Sequence, residues 1–358
     1  MDEKINRIRK WSEGGEANPY TLELNVTNRC NLNCRFCWQR GFEPNLNEEI
    51  SDKKLLEILV EAKSLDIREV RIPGSGEPLV RKDITLELME KIKDNSMHGL
   101  LITNGTLFDE NILEKMVQID WDIFTVSVDG ADAKTHDYLR DREGTFGKVK
   151  KMLSELNRLK DEYNSEKPKI RFNTVLTNRN YNQLSELIEL IYSCGGEDIQ
   201  LQPMTVFSDV GNECKLEGRR EELNESIRKA KRLADKYNIY TNIETFIDND
   251  IVERTNEMDK VMEEETQNKN DFISVPCFEP WYNMVILPTG KVAQCSMFGG
   301  KGGDQIKGKT LEEVWFGDYF EKTRRRLLNH NLFSYCENCC VPVNLENKRI
   351  RRELKKVV

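Results

Sequence analysis

Ten cysteines fall at positions 30, 34, 37, 194, 214, 277, 295, 336, 339 and 340 of the 358-residue chain, and their spacing is the first sign of chemistry. Three crowd into the run Cys30-Asn-Leu-Asn-Cys34-Arg-Phe-Cys37, and Cys277, Cys295, Cys336 and Cys339 gather toward the C-terminus with Cys340 beside them. A disulfide framework suits small, loop-rich chains in oxidising compartments. This chain is large and opens on Met1-Asp-Glu-Lys-Ile, without a basic and apolar signal segment, so a cytoplasmic protein with metal-binding or redox-active thiols is expected. Three thiolates in one loop can hold three corners of an iron–sulfur cluster, where full protein ligation takes four, which leaves one iron open to an outside ligand. A partial zinc site is the competing reading, weakened by the gaps of three and then two residues and by a total of only three histidines. The four later cysteines suffice to close a second 4Fe–4S cluster, and they suffice equally for a structural zinc ion, since Cys-x2-Cys serves both.

Those loops need elements to hold them. Six short β-type runs recur: Thr21 to Thr27, Glu69 to Pro73, Gly99 to Thr103, Phe124 to Val128, Lys169 to Leu176 and Ile199 to Pro203. Apolar residues at helical spacing lie between them, as in Leu55-Leu56-Ile58-Leu59 and Leu184-Leu187-Ile188-Ile191. Strand then helix, repeated, predicts parallel units with right-handed crossovers. Six such units suit an open, partial (β/α)6 TIM-like barrel with its working face at the strand C-termini. A helix is predicted from Glu221 to Tyr237, and the acidic run over 244–266 reads as a solvated face or linker. From 271 a β-hairpin turning at Gly290 and further helices form a small C-terminal unit. The basic tail from Lys348 to Lys356 reads as a frayed polar helix. The expected division is therefore an extension over 1–20, a core over 21–215, a helical acidic linker over 216–270 and a cluster-binding unit over 271–358. A formal net charge of −8 argues against a nucleic-acid surface, and no stretch is apolar for long enough to span a membrane.

Cys30-x3-Cys34-x-Phe36-Cys37 resembles the signature of the radical S-adenosylmethionine superfamily, aromatic residue included. Further matches follow in order at strand ends. Gly74-Ser-Gly76-Glu77-Pro78 resembles the glycine-rich motif that binds the methionine amino group in that family, with Ser75 where glycine is commoner. Glycines there are expected because backbone must approach a ligand closely. Asn104 ends the third strand; Ser127 and Asp129 end the fourth, where relatives contact ribose; Arg140 is a candidate for the methionine carboxylate. Asn173 and the Val175-Leu176 backbone match positions flanking ribose and adenine. Cys277, Gly290, Cys295, Cys336 and Cys339 resemble the SPASM or shorter twitch extension of the same family. The resemblance implies cofactor contacts at Phe36, Gly74, Gly76, Glu77, Asn104, Ser127, Asp129, Arg140, Asn173 and Leu176. It also implies a catalytic 4Fe–4S cluster on Cys30, Cys34 and Cys37 and one auxiliary cluster on Cys277, Cys295, Cys336 and Cys339.

The chemistry implied is reductive cleavage of S-adenosylmethionine to a 5′-deoxyadenosyl radical and hydrogen abstraction from an unactivated carbon. A fully ligated auxiliary cluster has no open iron for substrate, so its task would be to take the electron left on the substrate radical. An oxidoreductase acting on a sugar, cyclitol or other small polar molecule is expected, with a flavodoxin or ferredoxin-type electron donor. The twenty residues before the first strand are too few for the leader-binding domain of many peptide-modifying relatives. An epimerase is the next expectation, with Cys214 or Cys340 as hydrogen-atom donor, followed by a peptide-modifying maturase and, remotely, a zinc adaptor or nucleic-acid module. Cys194 reads as a small buried hydrophobe.

Overall fold

The computed structural model describes residues 2–41, 48–206, 208–247, 272–296 and 303–356. All six anticipated strands form, as β1 (Thr21–Leu24), β2 (Glu69–Ile72), β3 (His98–Thr103), β4 (Ile123–Ser127), β5 (Lys169–Leu176) and β6 (Asp198–Pro203). They pair in parallel in sequence order, with Glu23 beside Arg71 and Ser127 beside Asn173. The helices between them carry their apolar residues inward. In Asp52–Ser64, for example, Leu55, Ile58, Leu59 and Ala62 are buried, and the Ser51 side chain caps the helix by accepting from the Lys54 amide. These helix faces pack on the outer strand face, where Val70, Ile72, Phe124, Val126, Ile170 and Phe172 join one continuous core. Burying a side chain the size of Phe172 contributes roughly 1.5–3 kcal/mol.

The inner face is different. Parallel strands covered on both faces read as unbroken apolar runs. Here β2, β5 and β6 alternate, and Glu69, Arg71, Arg171, Asn173, Asp198, Gln200 and Gln202 stay half-exposed on the side away from the helices. Arg71 and Arg171 each keep 30% of their side-chain surface accessible. The hollow inside this TIM-like partial barrel is largely polar along these strands, while β3 and β4 turn Leu100, Ile102 and Ile123 to the same side.

Three arrangements depart from the sequence-based expectation. β7 (Tyr240–Thr241) pairs in parallel with β6, and the helix Arg220–Tyr237 packs on Leu184–Ser193, so the first part of the expected linker continues the barrel. The acidic run lies almost wholly outside the described residues. The C-terminal hairpin, β8 (Asn283–Ile286) and β9 (Lys291–Ala293), does not stand apart either. β8 runs parallel to β1 with Thr21 beside Asn283, and β9 and β10 (Asp304–Gln305) extend the same sheet to ten strands among the described residues. Nor is the basic tail frayed. It belongs to the helix Val341–Lys355, which buries Ile350, Arg351 and Leu354 against Ile5, Ile8, Phe278 and Trp281. Among the described residues no helix is long and apolar enough to cross a membrane.

Candidate active site

Cys30, Cys34 and Cys37 occupy the loop leaving the C-terminal end of β1. A turn closes it, with the Cys37 amide donating to the Cys34 carbonyl at 3.1 Å. The end of the helix Ala133–Arg140 clamps the loop from one side. Arg35 donates through its backbone to the Leu139 carbonyl and through Nε to the Tyr138 carbonyl, and Arg40 reaches both the Cys34 carbonyl (2.8 Å) and Asp141 (2.6 Å). Glu49 holds the entry, accepting from the Thr27 hydroxyl at 2.7 Å and the Asn28 amide at 2.8 Å. Arg35, Arg40, Glu49 and Asp141 escaped the sequence reading. The Arg35 and Arg40 positions beside the cysteines were the available signal, whereas nothing local marks Glu49.

The glycine-rich turn docks on this loop. The Gly76 amide donates to the Thr27 carbonyl and the Glu77 amide to the Arg29 carbonyl, at 2.9 and 2.8 Å. A Cβ on Gly76 would stand 2.1 Å from the Arg29 carbonyl oxygen, and one on Gly74 would stand 2.8 Å from the Gly76 carbonyl oxygen. At Gly76 the close approach that requires glycine is to the backbone just before Cys30, and at Gly74 it is to the turn itself. Glu77 is buried and braces the third strand, accepting from the Thr103 hydroxyl (2.7 Å) and the Asn104 amide (2.8 Å); burial pushes its carboxyl up. Asn104 donates from Nδ2 to Asn31 Oδ1 at 2.9 Å and lies 4.0 Å from the Cys30 sulfur.

Arg140 is buried beside the cysteines. Its Nη1 lies 3.6 Å from the Cys34 sulfur, its guanidinium sits 5.5 Å from the centre of the Phe36 ring, and it forms an ion pair with Asp129. Asp129 has no accessible surface and also accepts from the Val175 amide at 2.8 Å, so its carboxylate braces Arg140 and β5 from inside. Burial pushes that carboxyl up while Arg140 draws it back. Ser127 and Asn173 sit side by side on β4 and β5. The Leu176 side chain lies in the helix-facing core, so only its backbone faces the site region.

His136, fully buried, accepts from the Asp129 amide through Nδ1 at 3.2 Å, and burial aided by the Arg140 charge lowers its pKa to about 3. The unfolded chain binds a proton on this ring near pH 6.5 and the folded chain does not, so stability rises with pH between about 3 and 6.5. His136→Asn keeps an acceptor for the Asp129 amide without a titrating ring. Urea unfolding followed from pH 7 to pH 4 should show a smaller loss of stability in this variant than in the parent; equal losses would discount the ring.

The second cysteine group surrounds a pocket. Cys277, Cys295, Cys336 and Cys339 line it together with Tyr335 and one face of the helix Val341–Lys355. Cys340 does not line it and stands at the N-terminal boundary of that helix, where its thiol makes no capping hydrogen bond. Because β8 is in register with β1 and β9 returns antiparallel, Cys277 and Cys295 lie toward the strand N-termini, opposite Cys30. Among the described residues no three His, Cys, Asp or Glu side chains close around a single ion. The donor sets nonetheless suit clusters: burial pushes the Cys37, Cys277 and Cys339 thiols up, and coordinated metal deprotonates such thiols outright. Arg140 Nε, buried without a hydrogen-bond partner among the described residues, leaves cationic capacity beside the first set. Of the remaining cysteines, Cys214 is fully buried and Cys194 packs half-buried against the main core.

The model of the radical SAM superfamily matches residues 24–191, and that of the SPASM iron–sulfur cluster-binding domain matches residues 277–340. The chain is 25% identical over 175 residues to a probable GTP 3′,8-cyclase of Methanocaldococcus jannaschii, covering 49% of this chain and 56% of that one. It is 28% identical to an AdoMet-dependent heme synthase of Methanosarcina barkeri (49% and 48%) and 27% identical to the PqqA peptide cyclase of Granulibacter bethesdensis (49% and 45%). It thus spans about half the length of these relatives. In fold it is similar to Streptococcus suis SuiB bound to S-adenosylmethionine, with a TM-score of 0.66 at 17% identity over 88% of this chain and 70% of that one. It is similar also to anSMEcpe with bound AdoMet, with a TM-score of 0.59 at 14% identity over 94% and 97%. A three-cysteine loop at the head of a parallel partial barrel, and a four-cysteine pocket at its foot, are the marks of a radical SAM protein with a C-terminal SPASM domain, and this chain is one.

Proposed function

We propose that the chain is a radical SAM oxidoreductase acting on a small polar substrate held inside the barrel. Cys30, Cys34 and Cys37 would hold the catalytic 4Fe–4S cluster, and Cys277, Cys295, Cys336 and Cys339 a single auxiliary one. When bound, these clusters and S-adenosylmethionine supply reductive C5′–S cleavage, hydrogen abstraction from an unactivated carbon and an acceptor for the electron that remains. Arg140, steadied by Asp129, would balance the charge of the thiolates and orient the methionine carboxylate. Ser127, Asn173 and the backbone at Val175 and Leu176 would flank the nucleoside, while Gly74, Gly76 and Glu77 shape the loop that receives the amino end.

The observation that carries the reading is the row of polar side chains that β2, β5 and β6 turn into the hollow of the barrel. Arg71, Arg171, Asp198, Gln200 and Gln202 offer donors and acceptors on strand faces where Val175 is the apolar exception, which favours a hydroxylated molecule of the sugar or cyclitol kind. Oxidation fits better than epimerisation, because Cys214 has no accessible surface and Cys340 does not line the four-cysteine pocket. Peptide modification is the second reading, favoured by the match to a peptide cyclase. A flavodoxin or ferredoxin-type donor would deliver the reducing electron.

Anaerobic reconstitution tests the proposal. The brown protein, given dithionite and S-adenosylmethionine, should release 5′-deoxyadenosine and methionine. The Cys277→Ala/Cys295→Ala variant should keep cleavage while losing roughly half its iron and sulfide. A colourless, zinc-filled protein that takes up no cluster would overturn the reading, and deuterium passing from solvent into product would replace oxidation by epimerisation.

A further inference from the structure

Asn347 is 5% exposed on the face of the helix Val341–Lys355 that lines the four-cysteine pocket, together with Val343 and Asn344. Burying a primary amide is unfavourable unless its donors and acceptor find partners. Both ends of this one do. Its Oδ1 accepts from the Phe278 backbone amide at 2.7 Å, and its Nδ2 lies 3.6 Å from the Cys277 sulfur. The first contact fixes the second. A backbone N–H can only donate, so the oxygen must face Phe278 and the NH2 group is turned toward the sulfur.

We propose that Asn347 sets the reduction potential of the auxiliary cluster by donating a hydrogen bond to the Cys277 thiolate, an inference that rests on the reading of the four cysteines as its ligands. An N–H dipole aimed at a ligand sulfur stabilises negative charge there, and stabilises it more when the cluster carries an extra electron. The donor therefore raises the potential and eases acceptance of an electron from substrate. A merely structural role would need only the Phe278 contact, which ties the C-terminal helix to the loop after Cys277. The two roles separate on potential.

The test uses the full chain with Cys30, Cys34 and Cys37 all replaced by alanine, reconstituted anaerobically so that only the auxiliary cluster is present. Asn347→Leu removes the donor, and Asn347→Asp removes it while keeping an acceptor for Phe278. In redox titrations followed by electron paramagnetic resonance, both variants should show a more negative midpoint. The ratio of reduced to oxidised cluster at fixed potential should fall about tenfold, equivalent to about 59 mV for a one-electron couple. If Asn347→Leu holds no cluster, Asn347→Met, likewise uncharged and without an N–H, takes its place, because the added carboxylate of Asn347→Asp would by itself lower the midpoint. Unchanged midpoints, or failure of both uncharged variants to hold a cluster, would overturn the tuning role. If the three-alanine parent itself takes up no iron, the reading of the four cysteines falls first.

Discussion

Cys34→Ala should reduce 5′-deoxyadenosine release from S-adenosylmethionine to reagent background. Of the three cysteines in the loop, Cys34 is the buried one, and Arg140 points a cationic nitrogen at its sulfur from 3.6 Å. Cys30 is exposed and Cys37 intermediate, so neither is enclosed to the same degree. Alanine removes one of three protein ligands from a cluster that has no fourth in the motif, so iron and sulfide should fall by roughly half, leaving the auxiliary share. The fold should persist, because the backbone contacts that hold the loop remain: the Arg35 amide on Leu139 and the Arg40 guanidinium on the Cys34 carbonyl do not involve the thiol. Circular dichroism would therefore be unchanged while cleavage vanishes. Cys194→Ala is the counterpart. That thiol packs against the core away from both cysteine groups, and its carbonyl, which accepts from Asn157 Nδ2 at 2.7 Å, survives the change. Cleavage should be retained in Cys194→Ala. Retention in Cys34→Ala would remove the loop from the chemistry.

The cysteine spacing and the strand alternation were readable because both are local. β5 runs from Lys169 to Leu176 as its alternation requires, with Ile170 and Phe172 toward the helices and Arg171 and Asn173 toward the hollow. What the sequence hid is non-local. β8 pairs with β1 across more than two hundred and fifty residues, so no turn signal announces it, and the hairpin looked like the start of a separate unit. β7 is two residues long and has no periodicity to detect. At Gly76 the sequence hid one constraint: the carbonyl that it must clear belongs to Arg29, and only the folded loop brings the two together. Arg351 read as a surface residue of a basic tail, and nothing local marked Asn347 just before it. Burial of that helix depends on a pairing with the N-terminal helix Glu3–Ser12, where Lys4 meets Glu346 at 2.9 Å and Asp2 meets Arg349 at 2.8 Å. Asp129 belongs in the same class. A strand-end aspartate followed by glycine suggests a turn or a ligand contact, and its use as a buried brace for Arg140 appears only once β4, β5 and the helix Ala133–Arg140 converge.

Asp129→Ala should accordingly be among the most damaging substitutions to stability. It leaves the Arg140 guanidinium in the interior without its carboxylate and the Val175 amide without an acceptor. Removing one partner of a buried pair typically destabilises by about 3–5 kcal/mol, far more than the pair contributes relative to an apolar replacement. The loss should appear as a lower urea midpoint with an unchanged slope. Asp129→Asn keeps an oxygen for the Val175 amide and isolates the charge effect, so it should fall between parent and alanine. Adding Arg140→Leu to Asp129→Ala removes the stranded charge, and stability should recover in part although cofactor binding would not. That pattern distinguishes a brace from a ligand contact. A carboxylate whose main task was to meet ribose would leave stability nearly intact when removed and weaken S-adenosylmethionine binding alone, and the double variant would then be no more stable than the single one.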